Sequence, residues 1–155
     1  MMFEEENIKT DDTNTILTED GKIVVNEAYC HNGHNLMSPD VKIAGYPSIR
    51  LLITDPKGKK HDLYISAVDG DHEKKGGEGI KQGQLLVVSC PICEEELDNI
   101  SPCDCTKGSK FVAIYMNKKR SFSSCVGVCN SWGCYRSFMN SAWRIISRLA
   151  DKSAR

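Results

Sequence analysis

The chain has 155 residues, enough for one domain with a modest core. Hydrophobic residues make up 40 % and the formal charge is −1, yet no run of about 18 apolar residues occurs, which excludes a membrane-spanning helix. The acidic start, Met1 to Glu6, lacks the basic and apolar regions of a signal peptide, so the protein is expected in the reducing cytoplasm.

Residues 1–14 are acidic and polar with no periodicity, and they read as a disordered tail. Ile16-Leu17 and Ile23-Val24-Val25 flank Asp20-Gly21, the pattern of a small hairpin whose second strand leads to Cys30. Val41 to Ala44 suits a short strand. From Ser48 to Ser66, Ile49, Leu51 and Ile53 alternate with other residues, Asp55-Pro56-Lys57-Gly58 supplies a turn, and Leu63 and Ile65 alternate on the return. Asp69 to Gly83 is glycine-rich and charged, which predicts a solvated loop with no core element. Its glycine spacing does not match a phosphate-binding loop. Asp69, Asp71 and His72 could meet a divalent ion there, but solvation is the simpler expectation.

Leu85-Leu86-Val87-Val88 and Phe111 to Met116 are continuous apolar runs, each suited to a buried strand. From Tyr135 to Ala150, Tyr135, Phe138, Met139, Ala142, Ile145, Ile146 and Leu149 recur at three and four residues, with Arg136, Arg144 and Arg148 on the other side. This periodicity predicts an amphipathic helix.

Eight cysteines punctuate the chain, seven of them between residues 90 and 134. Their close pairs, Cys90-Pro-Ile-Cys93 and Cys103-Asp-Cys105, point to metal ligation over a disulfide framework. Two cysteines separated by two residues put both sulfurs on one side of a tight turn. Pro91 fixes its φ, and such a turn offers half a tetrahedral site. Cys30-His-Asn-Gly-His34 has the same shape, with His34 where a second sulfur would sit. Together, CxxxH and CxxC resemble the two knuckles of a zinc ribbon or treble-clef finger.

The resemblance implies a first site of Cys30, His34, Cys90 and Cys93, with the Val41–Ser66 sheet inserted between its halves. The remaining cysteines form a second set of Cys103, Cys105, Cys129 and Cys134, which leaves Cys125 as a small buried residue. A local partition, Cys90, Cys93, Cys103 and Cys105 on one ion, has a lower loop-closure cost and competes with this one. His31 and His61 read as surface residues. Three sulfurs and one histidine nitrogen suit structural zinc, so two zinc ions are expected, with iron as the alternative in the all-sulfur second site.

The expected fold is mainly β, of the α+β kind: a small antiparallel sheet with zinc-ribbon-like knuckles and one C-terminal amphipathic helix. Residues 15–155 are expected to form a single zinc-stabilised domain. Its part from 107 to 155 holds ten Lys and Arg against the single acid Asp151, a charge of +9, so residues 1–106 carry −10. This division, with closed metal sites, favours a small structural zinc protein that acts as an adaptor, accessory or small subunit bound to a protein partner. The alternatives are nucleic-acid binding through the basic third, where Trp132, Tyr135, Phe138 and Trp143 are interleaved, and thiol or iron redox chemistry. An enzyme is less favoured: no GxSxG or HExxH pattern occurs, and Glu94-Glu95-Glu96 beside the second knuckle is more simply a solvated run.

Overall fold

A computed structural model describes residues 8–9, 15–119, 124–134 and 137–140, with backbone only for 8–9 and 137–140. Twelve strands form three antiparallel sheets, and no helix occurs among the described residues. The first sheet runs β1 (Ile8–Lys9), β2 (Thr15–Leu17) and β3 (Ile23–Val25). Its β2–β3 hairpin turns at Asp20-Gly21, where the N–H of Gly21 donates to the carbonyl of Thr18 at 3.0 Å. Of residues 1–14, only β1 is described.

The second sheet is built on β5 (Tyr46–Thr54), whose inward residues Ile49, Leu51 and Ile53 are at most 2 % exposed. One edge of β5 pairs with β6 (Lys60–Ile65) in register Ile49 to Ile65 through Thr54 to Lys60. The other edge is shared between β4 (Met37–Ile43) and β8 (Val87–Ser89). Strand β4 is longer than Val41 to Ala44 suggests. It carries Pro39 where its register shifts, the position at which an edge strand tolerates a residue without an N–H.

Beyond β6 lies β7 (Lys74–Gly76), inside the stretch expected to be a loop. Backbone pairing with β6 draws it in, and the Lys75 ammonium adds a hydrogen bond to the Lys42 carbonyl at 3.2 Å. A Cβ on Gly76 would stand 2.2 Å from the carbonyl oxygen of Asp62, so the strand approaches β6 this closely because Gly76, at φ +104°, has no side chain.

The third sheet has the order β12-β11-β10-β9: β9 is Asn99–Pro102, β10 is Lys110–Tyr115, β11 is Cys125–Cys129 and β12 is Ser137–Asn140. Val112, Ala113, Ile114 and Tyr115 are all 3 % exposed or less, so β10 is buried on both faces, which accounts for its continuous apolar run. Val112 and Ile114 join the main core with β5, β6 and β8. Ala113 and Tyr115 meet Tyr29 and Cys125 on the opposite face.

Strand β12 corrects the expected α+β class. Ser137–Asn140 pairs antiparallel with Val128 through Cys125, within the segment expected to be helical, and the described fold is all-β. Phe138 and Met139 fit a helical stripe and a strand equally well by sequence. The unpaired N–H and C=O groups along β11 decide between them, because a strand satisfies that edge and a helix does not. The rest of the expected helix, 135–136 and 141–150, lies outside the described residues.

Candidate metal centres

Cys30 follows β3 and is held from two sides. Tyr29 exchanges backbone hydrogen bonds with Tyr115 of β10 at 2.7 and 2.9 Å, and Leu36 N–H donates to the carbonyl of Ala28 at 2.7 Å. Between these anchors the chain turns at Gly33, whose φ is +86°. The turn aims the Asn32 N–H at the Cys30 sulfur, 3.3 Å away. Strand β8 delivers Cys90 in the same manner. Ile92 N–H donates to the Cys90 sulfur at 3.3 Å, and Glu94 N–H to the Cys90 carbonyl at 2.8 Å. Here the left-handed residue after the turn is Glu94, at φ +61°.

These two turns face each other. Cys30 Sγ lies 3.4 Å from His34 Nδ1 and 4.0 Å from Cys93 Sγ, and Cys90 Sγ lies 3.9 Å from His34 Nδ1. All four ligand atoms fall within 4.8 Å of one another. A tetrahedral ion with ordinary zinc bond lengths sets edges of about 3.8 Å between sulfurs and about 3.6 Å between sulfur and nitrogen, which match.

The second group comes from β9 and β11. Cys103, Cys105, Cys129 and Cys134 also bring their sulfurs within 4.8 Å of one another, with Cys105 and Cys129 at 3.5 Å. These distances are far beyond an S–S bond of about 2.05 Å, and no disulfide joins any of the eight cysteines. Cys103 is buried while Cys105 is exposed, so this group lies closer to solvent than the first, in which both Cys30 and Cys90 are fully buried.

In each group the protein environment makes one thiol harder to ionise and another easier. Burial pushes Cys90 up to about 11, and burial pushes Cys129 up as well. At Cys93 burial acts in the same sense but is outweighed by donors that bring the thiol down to about 6, among them Asn32 Nδ2 at 3.5 Å. The Ser109 hydroxyl, 3.4 Å from Cys105, is foremost in bringing that thiol to about 6. A cation held by either group would supply what these environments lack, because thiolates that repel one another are stabilised together by positive charge.

Three positioning residues were not singled out in the sequence. Asn32 donates to Cys93. The Ser109 hydroxyl lies 2.7 Å from the carbonyl oxygens of both Cys103 and Thr106, and its single proton, available to either, ties the 103–109 loop together. Asn130, only 6 % exposed, accepts from Lys110 N–H at 2.8 Å and donates to the Leu86 carbonyl at 3.0 Å, which clamps the Cys129 turn between two strands. Their one sequence signal is adjacency to a cysteine turn.

Cys125 lies outside both groups, fully buried, with burial raising its thiol to about 11. His31 contacts Glu95 at 2.9 Å and Asp98 at 3.5 Å, and His61 pairs with Asp55 at 3.1 Å. Asp69, Asp71 and His72 do not converge as a ligand group; among the described residues only the two sets above do. The acids after the second knuckle all have partners: Glu94 and Glu96 form ion pairs with Lys60 and Lys110, and Glu95 is hydrogen-bonded to His31. Trp132 packs against the main core, with the Lys74 ammonium 4.5 Å from its ring. Tyr135, Trp143 and the side chain of Phe138 lie outside the described set. Comparison of the chain with protein-family models, with curated proteins and with solved structures found no match.

Proposed function

We propose that this is a small structural zinc protein whose two ions fix the ends of its sheets, so that the surface they support engages a protein partner. The observation that carries the proposal is the convergence of two complete four-ligand sets, each with single-ion spacing. Four protein ligands leave no open coordination position for a substrate or an attacking water, which suits a scaffold and not a hydrolytic centre. The paired state of Glu94, Glu95 and Glu96 supports the same reading, since none stands ready as a base. Three sulfurs with one nitrogen favour zinc in the first set. In the second, an iron–sulfur cluster would spread its cysteines over separate irons, and the close mutual spacing favours one ion. A reducing compartment such as the cytoplasm suits thiols kept for a metal.

A protein partner is supported by Ile92, 57 % exposed at the tip of the Cys90–Cys93 turn. An apolar side chain on a turn locked by an ion loses little entropy on docking. The metal reading is tested by elemental analysis with a visible spectrum of the same sample. Two zinc per chain and no colour are expected; iron with visible absorption would overturn the assignment of the second site. For the partner, Ile92→Asp is expected to keep both ions and abolish co-purification of the protein that wild type retains. Equal retention would refute docking at this tip.

A further inference from the structure

The two ligand groups differ in how much of their sulfur meets solvent. In the first, Cys30 and Cys90 are fully buried and only Cys93 is partly exposed. In the second, Cys105 is exposed, Cys129 and Cys134 are partly exposed, and only Cys103 is buried. A small oxidant therefore reaches the Cys105 sulfur directly, whereas most of the first group is shielded from it.

The exposed sulfur also has a second sulfur beside it. Cys105 Sγ lies 3.5 Å from Cys129 Sγ, so a bond of about 2.05 Å needs an approach of only about 1.5 Å. The two segments are joined by hydrogen bonds that need no ion. Thr106 Oγ1 and Ser131 Oγ are 3.2 Å apart, the Lys110 N–H donates to Asn130 Oδ1 at 2.8 Å, and the Asn130 N–H donates to the Lys110 carbonyl at 3.0 Å. These contacts keep the 103–109 loop against the Cys129 turn while the sulfurs change partners.

We propose that Cys105 is a hydroperoxide-reactive modification site whose oxidation onto Cys129 releases the ion of the second group and spares that of the first. The proposal rests on the reading that each group holds zinc. Zinc has no redox chemistry of its own, so the thiolates supply both electrons. The Cys105 thiolate attacks one peroxide oxygen and breaks the O–O bond, which expels hydroxide or alkoxide and leaves a sulfenic acid. The Cys129 thiolate then attacks that sulfur, and the S–S bond forms as a second hydroxide departs. Two thiolates are oxidised, one hydroperoxide is reduced, and the departing oxyanions take protons from water. Only Cys103 and Cys134 then remain as ligands. A dithiol reverses the step by exchange and restores all four sulfurs.

The test treats the full chain, first shown by elemental analysis to carry two zinc ions, with hydrogen peroxide. Released zinc is read with a chromophoric chelator, and the disulfide is located by peptide mapping after free thiols are blocked. One ion is expected to leave roughly tenfold or more faster than the other, with a Cys105–Cys129 crosslink and recovery on adding a dithiol and zinc. Cys105→His keeps a ligand at the position but removes the reactive sulfur, so it is expected to retain two ions and to slow the first release roughly tenfold or more. Should that variant fail to hold the second ion, the position of the crosslink in the wild-type chain decides. Release of both ions together, retention of both, or a crosslink that omits Cys105 would overturn the proposal while leaving the zinc reading intact. Fewer than two zinc ions in the untreated chain would overturn the zinc reading, and this inference with it.

Discussion

Replacing Cys90 by serine separates a ligand from a merely buried cysteine. The Cys90 sulfur is fully buried, accepts the Ile92 N–H and stands 3.9 Å from His34 Nδ1. A structural zinc site contributes about 10–16 kcal/mol, so one ligand of four accounts for about 3–4 kcal/mol. A buried hydroxyl without a good acceptor adds about 1 kcal/mol. Against a total stability of about 5–15 kcal/mol, this loss leaves a marginal fold. At about 2–4 °C per kcal/mol for a chain of this size, melting should fall by roughly 8–20 °C. Zinc content, from competition with a chromophoric chelator, should fall from two to one. Cys125→Ala is the control: that sulfur is equally buried but outside both groups, so the variant should lose about 1 kcal/mol and keep two ions. A Cys90→Ser protein that binds two zinc ions and melts like wild type would refute the ligand assignment.

The same geometry sets other expectations. Because the Cys90 thiol is raised to about 11, the metal-free first site holds that proton at neutral pH and binding must expel it. Apparent zinc affinity should therefore rise at least tenfold per pH unit through the neutral range. It should fall more steeply below about pH 6, where Cys93 also takes up a proton; a flat profile in chelator competition would contradict this. Asn130→Ala strands the Lys110 N–H and the Leu86 carbonyl, and should cost about 2–3 kcal/mol in chemical denaturation while weakening the second site and sparing the first. Gly76→Ala puts a methyl group against the Asp62 carbonyl at a φ that L-residues avoid, and should cost about 2 kcal/mol or more with loss of hydrogen-exchange protection along β7. Asp55 has its carboxyl held below the usual range by His61 first and then by the Lys59 and Lys57 N–H groups. Its contribution is present above the unfolded value near 4 and is lost as pH falls through the depressed folded value. Asp55→Asn should thus lower melting at neutral pH by a few degrees and change it least in strong acid.

Much of this architecture was legible in residue spacing. The hairpins at Asp20-Gly21 and Asp55–Gly58 carry turn chemistry between alternating strands, and each forms where that pattern lies. Matched turn shapes suggested the first set of four and the remaining cysteines the second, against a rival local quartet of Cys90, Cys93, Cys103 and Cys105, and the convergence of ligand atoms follows the former grouping. What stayed hidden depends on partners remote in sequence. Strand β7 has a charged, glycine-rich sequence and exists because the edge of β6 accepts it. Strand β11, Cys-Val-Gly-Val-Cys, has only two large apolar residues and takes its form from β10 alongside. Strand β12 lies under a helical periodicity that is real in the sequence, but an open sheet edge outweighs it locally. Asn130 could not be recognised, since its worth comes from Lys110 and Leu86, 20 and 44 residues away.

The order of the two groups along the chain, one wholly before the other, bears on how the chain is made. Cys30 and Cys93 are 63 residues apart with the second sheet between them, whereas Cys105 and Cys129 are 24 apart. Loop closure alone makes the first union about 0.9 kcal/mol costlier than the second. During synthesis, Cys90, Cys93, Cys103 and Cys105 emerge within sixteen residues of one another, before Cys129 exists. A nascent chain in excess zinc can therefore close on that local quartet and must later exchange two thiolates to reach the native groups. Refolding with substoichiometric zinc should proceed in one phase, and refolding in excess zinc should gain a slow phase limited by ligand exchange. If the two groups hold metal as proposed, the yield of correctly assembled protein should then fall as metal in excess of two ions per chain rises during synthesis.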